Sequence, residues 1–469
     1  MVLLMNDREA GLTSALEPTD AGSDRQRRTL SRRGLLGLGG AGAIAVASVS
    51  SAATVAVGKT QQVREARAAI PSSPATAAPA PEFTVLTSEA GQATGDIFFT
   101  DMGDTAAALI TDGSGRKLWS TEGAKSYAGL RLQTYQGQPV ITWWESQSTG
   151  LAAYAEGRVV VTDLAHDVLT TVEPHGGISP DEHEFLITPR GTAFIVSYVN
   201  KKVDLRKVGG HKNGLIMNGI LEEIDLATGK VLLHWESFDH VDLAESYAGV
   251  PENPDEPYDY FHINSVNPTP DGQVVISARH TWTVYKVDRT TGRVRWRLGG
   301  KRSDFELPKS ATFAWQHDAQ FENPTTLRLF DNGSDGTTTV TEESQVLWFS
   351  IDEAARTARL ERRLVHPAKV SAHSMGNAQR LENGNVFVGW GSGSRISGFA
   401  IDNTLLFDAT LPNVSYRATD RSGADAGPAP LGVLTLQIGH AAGGWKPARN
   451  RDHQETAQQP RRPGRPLSG

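Results

Sequence analysis

The chain has 469 residues, with 46 Lys and Arg against 53 Asp and Glu, a formal charge of −7 and no cysteine. Without cysteine there are no disulfide staples, no thiol catalysis and no thiolate metal sites, so stability rests on packing alone. The acidic balance gives no reason to expect nucleic acid as a partner.

The N-terminal stretch reads as an address. Arg25-Gln26-Arg27-Arg28 and Ser31-Arg32-Arg33-Gly34-Leu35-Leu36 form a basic region, and a weakly apolar, small-residue run follows from Leu35 to about Val57. Ser-Arg-Arg-x-Leu-Leu is the pattern of twin-arginine export. Residues 1–58 are therefore expected to be a signal read by the twin-arginine (Tat) export machinery. The mature protein is expected to be secreted, periplasmic or at the cell surface, either free or tethered by an uncleaved signal. Residues 59–82 are rich in Ala and Pro and predict a flexible linker. Residues 421–469, rich in Arg, Gln, Pro and Gly, lack a core-forming pattern and predict a disordered tail. Residues 83–420 remain as one folded domain.

Inside that domain one unit recurs: strand, turn, strand, an Asp-x-x-x-Gly turn, then a strand carrying Trp. It is seen in Asp225-Leu226-Ala227-Thr228-Gly229 to Trp235 and Asp288-Arg289-Thr290-Thr291-Gly292 to Trp296, and with a turn one residue shorter in Asp112-Gly113-Ser114-Gly115 to Trp119. Glycine accepts the positive φ of such a turn, and the Trp is suited to fill the gap between adjacent sheets. Six units fall near 96–120, 127–163, 183–235, 262–297, 317–363 and 373–410. The period predicts an all-β fold, a six-bladed β-propeller. The alternative is seven blades, the extra one lying within 236–260 or built from the N-terminal strand. Helical signals are scarce; Asp352 to Leu360 is one weak candidate.

Four histidines open four of these units: His183, His262, His317 and His373. A lone histidine before a turn is usually a hydrogen-bonded loop residue. Four at equivalent points of a ring converge on its axis and favour a shared site. His234 and His280 are read as structural, the repeat tryptophans as packing, and Asp225 and Asp288 as turn formers. No His-x-x-x-His or Glu-paired spacing supports a metal, and neither metal nor cofactor is expected. Neutral imidazoles are nevertheless good metal ligands. A metal-binding or non-catalytic propeller serving as a cell-surface binding platform is therefore the alternative function.

Five motifs in order carry a resemblance: His262-x-Asn264-Ser265, Ser277-Ala278-Arg279-His280, Trp296-Arg297-Leu298-Gly299-Gly300, Trp315-Gln316-His317-Asp318-Ala319 and Leu329-Phe330-Asp331-Asn332-Gly333. Together they resemble the bacterial arylsulfotransferase family, over most of 83–410. The resemblance implies an exported propeller enzyme that moves a sulfuryl group between small phenols, without a nucleotide donor; the chain has no P-loop. It implies that His317 is the nucleophile and is transiently sulfated. It further implies that His262 and Asn264 bind sulfuryl oxygens with Arg279, that His183 is a further active-site histidine, and that His373 lies where the last blade contributes. The chemistry suits these side chains. Arg279 offers a planar fork of donors to an oxyanion. A neutral imidazole is a competent nucleophile near pH 7, all the more so where neighbouring cations keep it unprotonated. A phenol, with a reference pKa of about 10, needs a base, and His262 or His183 can supply one. The pattern breaks after Arg417, which leaves closure of the ring as the point the sequence does not decide.

Overall fold

A computed structural model describes residues 83–89, 95–124, 126–146 and 156–421. The expected signal, linker and tail lie outside the described residues, apart from Arg421 at the start of the tail. Among the described residues there are six antiparallel sheets, and helix is confined to three-residue 3₁₀ turns. None of these is long and apolar enough to cross a membrane. Five sheets have four strands and the sixth has five, so the fold is a six-bladed β-propeller.

The Asp-x-x-x-Gly turns do what their chemistry predicts. The Asp225 carboxylate accepts the Ala227 and Thr228 N–H groups and the Thr228 hydroxyl, and Gly229 follows at φ 71°. Asp288 repeats the arrangement with Thr290 and Thr291, ahead of Gly292 at φ 71°. The tryptophan at the end of one unit reaches the turn of the next. Buried Trp235 donates its indole N–H to the Gly292 carbonyl at 3.0 Å, so blade 3 is fastened to blade 4 where their sheets splay. The weak helix candidate is instead a hairpin. Gln345–Asp352 pairs with Thr357–Val365, and Asp352 turns the chain by accepting the Ala354 and Ala355 N–H groups. Local helix propensity from Ala and Arg yields to the ladder on either side.

The ring is closed from both chain ends. Thr84–Ser88 pairs with Leu405–Thr410 as a fifth, outermost strand of blade 6, so the N-terminal strand extends a blade and builds no seventh. Ala418–Asp420 pairs with Ile97–Phe99 and becomes the innermost strand of blade 1. The residues just before it are clamped. Arg417 meets Glu184 through two contacts of 3.1 and 3.0 Å, Arg131 reaches the same carboxylate at 2.8 Å, and Arg417 also donates to the Asn264 carbonyl. The stretch after Arg417, where the repeat pattern fades, is thus the closing strand.

The remaining innermost strands are Tyr127–Tyr135, Pro180–Ile187, Ile263–Pro268, His317–Asn323 and Asn377–Arg380. Four of them carry extra residues near their start. Ala128 and Arg131 pair with Trp144 and Thr142, Pro180 and Phe185 with Ser197 and Ile195, Ile263 and Ser265 with Ala278 and Ser277, and His317 and Gln320 with Phe330 and Arg328. In each case the inner strand advances further than its partner. Such bulges break the alternation of a strand and re-aim side chains. Here they act on one end of the axis, where the histidines lie.

Candidate active site

His317 is the first residue of the inner strand of blade 5 and is 2 % exposed. Its Nδ1 lies 2.6 Å from Asn332 Oδ1 and 3.0 Å from the Trp315 carbonyl, while its Nε2 accepts the Met375 N–H at 3.2 Å. Two acceptors on Nδ1 and a donor on Nε2 make Nδ1 the protonated nitrogen and leave Nε2 with the lone pair. Burial holds the ring well below the ordinary imidazole range, and the Arg279 cation and the neighbouring His262 and His183 add to this against the Asn332 bond. The strand start is locked by Gln316, whose amide donates to the Ser277 hydroxyl and to the Ala278 and Thr283 carbonyls of blade 4. Asn332 is anchored from blade 6, donating to the Ala372 and Met375 carbonyls at 2.8 and 3.0 Å. Asn332→Ala is expected to lower kcat about 10- to 100-fold, the usual cost of removing a partner that orients a functional imidazole. KM should stay nearly unchanged; steady-state kinetics that move KM alone would show the bond to be idle.

His262 and His183 face each other from blades 4 and 3. Their Nε2 atoms are 3.1 Å apart and their rings nearly perpendicular. His262 Nδ1 is bonded to Asp259 Oδ2 at 2.6 Å, and His183 Nδ1 to Asp181 Oδ1. His262 has φ 59°, a conformation that side chains other than glycine seldom adopt and that accumulates at functional sites. The two rings part in basicity. Burial takes His262 down to about 4, with His183 and His280 adding and Asp259 opposing. Burial also pulls on His183, but the Asp181, Glu182 and Asp259 carboxylates outweigh it and the net shift is upward.

Arg279 closes the site from the tip of the blade 4 hairpin. Its Nη2 donates to the His373 carbonyl at 3.1 Å and its Nη1 to His280 Nε2 at 2.8 Å. Since a guanidinium only donates, His280 Nε2 accepts, and its Nδ1–H turns to the Asp259 carbonyl. His280 therefore supports both Arg279 and the Asp259 segment. The Tyr416 ring, from the closing segment, stands edge-on to His183 at 5.4 Å and to His317 at 6.5 Å.

Of the six residues expected from sequence, His317, His262, His183 and Arg279 meet at one end of the axis. His373 is exposed and lends its backbone carbonyl to Arg279, with its ring against Gly336. Asn264 is fully buried. Its amide donates to the Gln316 carbonyl at 2.6 Å, across the seam of blades 4 and 5, and its Oδ1 has no hydrogen-bond partner. Five residues with a part in the site were not picked out: Asn332, Asp181, Asp259, Tyr416 and Arg417. Asn332 stands inside a motif that was read, and the two aspartates lie two and three residues before their histidines. A cavity of about 500 Å³ opens along the inner strands, lined by Arg131, Glu184, Asp318, Arg328 and Arg417 among others. None of the four clustered residues lines it, so it belongs to the other end of the axis, beyond the Glu184–Arg417 clamp.

Asp259, His262 and His280 bring one potential ligand atom each within 4.8 Å of one another. The Asp259–His262 contact of 2.6 Å is a hydrogen bond. Two ligands about 2.0–2.2 Å from one tetrahedral ion stand more than 3 Å apart, roughly 3.4 Å by geometry, so the trio is arranged to share protons.

Compared with known proteins, residues 131–411 match the family described as Arylsulfotransferase (ASST). No curated protein matches the chain. Among solved structures, a protein of unknown function from Bacteroides caccae shares 10% identity at a TM-score of 0.42, over 70% of this chain and 98% of that one. TolB from Acinetobacter baumannii shares 12% at 0.40, over 68% and 64%. A catalytically inactive virginiamycin B lyase from Staphylococcus aureus shares 11% at 0.35, over 73% and 92%. Nothing about this chain's chemistry follows from these three likenesses.

Proposed function

From the premise that this chain belongs to the arylsulfotransferase family, we propose that it carries a sulfuryl group from a phenolic sulfate ester to a phenolic acceptor in two steps, through a sulfohistidine at His317. The observation that carries this reading is the state of His317: a buried imidazole with Nδ1–H held by Asn332 and an unprotonated Nε2 within the field of the Arg279 guanidinium. Sulfuryl transfer, like phosphoryl transfer, is in-line displacement, and catalysis is mostly positioning and stabilisation of peripheral oxygens. In this reading Arg279 meets those oxygens with its guanidinium. In the first step His317 Nε2 attacks sulfur and the donor's S–O bond breaks. In the second the acceptor oxygen attacks sulfur and the S–N bond breaks, restoring the imidazole. His262 and His183 serve the phenol protons.

The test is intact-protein mass spectrometry after brief exposure to 4-nitrophenyl sulfate. The expected result is a gain of one SO₃ that maps to His317 and is discharged by added phenol. Turnover without any adduct, under conditions that trap acid-labile phosphoramidate-like bonds, would sink the two-step reading. We also propose export by the twin-arginine route, on the strength of Ser31-Arg32-Arg33-Gly34-Leu35-Leu36 and a chain that needs no oxidative folding. Residues 1–58 fused to a reporter should carry it out of the cytoplasm, and Arg32→Lys with Arg33→Lys should retain it there.

A further inference from the structure

Four side chains line up across blades 3 and 4 in the order Asp181, His183, His262, Asp259. Each imidazole turns Nδ1 to a carboxylate and Nε2 to the other ring. A carboxylate only accepts, so each Nδ1 must carry a proton. Two nitrogens 3.1 Å apart in a buried site need one proton between them, since two lone pairs repel and two N–H groups collide. Four ring nitrogens therefore hold three protons, one more than two neutral imidazoles own.

We propose that Asp181 and Asp259 are positioning residues that keep the His183–His262 pair as a monocation with a single labile proton, and that this proton is lent to the leaving phenolate and recovered from the acceptor phenol. This rests on the sulfuryl-transfer reading above and adds the proton inventory to it. In the first half-reaction sulfur leaves the donor oxygen for His317 Nε2, and the phenolate takes the proton between the rings and departs as a phenol. The pair is then two neutral imidazoles with facing lone pairs, a good proton acceptor. In the second half-reaction the acceptor phenol returns a proton to the pair, and its oxygen takes the sulfuryl group from His317. Protons and charge balance over each half-turn, and no other reactant is needed.

The surroundings favour the proton resting on His183. Asp181 and Glu182 lie on its own strand, and Asp259 adds a second carboxylate through His262. His262 faces His280, which opposes a charge on it, and His317 beyond is held unprotonated. Tyr416 and Tyr198 stand edge-on to His183 and bring no charge, while Glu184 beyond is matched by Arg417 and Arg131. The Asp181 Oδ1 that meets the ring also accepts the His183 N–H at 2.9 Å, so an asparagine oxygen can keep the geometry without the charge.

The experiment compares two donors on the full-length protein and on Asp181→Asn. Phenyl sulfate releases a phenolate whose conjugate acid has a pKa of about 10 and which leaves poorly without a proton. 4-Nitrophenyl sulfate releases a stabilised anion that leaves unaided. The expected result is a loss in kcat/KM of about 100-fold or more on phenyl sulfate and less than about fivefold on the nitrophenyl ester, in the range general acid catalysis supplies. An equal loss on both donors would show the aspartate to be structural only and overturn the proposal. Asp259→Asn runs the same test from the other end of the line should Asp181→Asn fail to fold. The SO₃ adduct on His317 from 4-nitrophenyl sulfate keeps the two readings apart: an adduct in both proteins with equal losses sinks the shared proton alone, and no adduct in the unmodified protein sinks the sulfohistidine.

Discussion

His317→Asn is expected to leave a folded protein whose kcat/KM on 4-nitrophenyl sulfate is lower by about 10³- to 10⁶-fold, the range seen when an essential nucleophile is removed. The amide nitrogen can stand where Nδ1 stood and donate to Asn332 and the Trp315 carbonyl, so the strand start should hold although the Met375 N–H loses its acceptor. What it lacks is a basic nitrogen at the Nε2 position. Arg279, His183 and His262 would remain, and residual rate above the uncatalysed reaction would measure what charge stabilisation and proton transfer give without a covalent step. The melting temperature should move little, since the change buries no new charge. If the variant keeps more than roughly a tenth of the activity with its fold intact, His317 is not the nucleophile; if the folded, unmodified protein has no activity either, a propeller that serves as a binding platform becomes the better reading.

The second large effect is on stability. Glu184→Ala removes the carboxylate that is ion-paired with both Arg131 and Arg417, each of them largely buried. Breaking a buried pair from one side costs about 3–5 kcal/mol because a desolvated cation is left behind. For a domain of this size that is a drop in Tm of roughly 4–7 °C. Glu184→Leu with Arg417→Met is expected to recover part of the loss, since the uncompensated charge at the closing segment goes with its partner. The effect has a pH signature. Burial alone would raise the Glu184 carboxyl, but Arg417 and Arg131 outweigh it and hold it below its ordinary value. A depressed carboxylate stabilises the fold above its unfolded pKa and loses that contribution as pH falls through its folded one. The unmodified protein should therefore lose stability more steeply in acid than Glu184→Ala does. Thermal melts across the acid range measure both; parallel curves would place the contribution elsewhere.

The repeat was legible because it is local. Turn glycines, the Asp that caps each turn and the Trp that follows are read within a dozen residues, and they gave six units near the observed blades. The helix suggested at Asp352 to Leu360 failed for the opposite reason: Ala and Arg favour a helix locally, and only the neighbouring strand overrules them. The site was half legible. His183, His262, Arg279 and His317 announced themselves by type and motif. The partners that give those rings their tautomers did not, because a tautomer is set by what lies opposite in space. Asp181 and Asp259 look like turn aspartates, and Asn332 looks like the second residue of an Asp-Asn-Gly turn. Asn264 shows the converse: a motif residue expected at the sulfuryl oxygens gives its amide donor to the seam between two blades. The role of residues 415–421 was the least visible. Thr100 and Ser415, which join across the closure, stand 315 positions apart, and no periodicity links them.

That closure has a consequence for the order of events on the ribosome. A nascent chain that has reached Leu411 already carries His183, His262, Arg279 and His317, yet it lacks Tyr416, which stands beside two of them, and Arg417, which grips Glu184. The histidines and the arginine are thus made early and their surroundings completed last. The cluster gains its last neighbours only when the closing strand arrives to pair with one of the first.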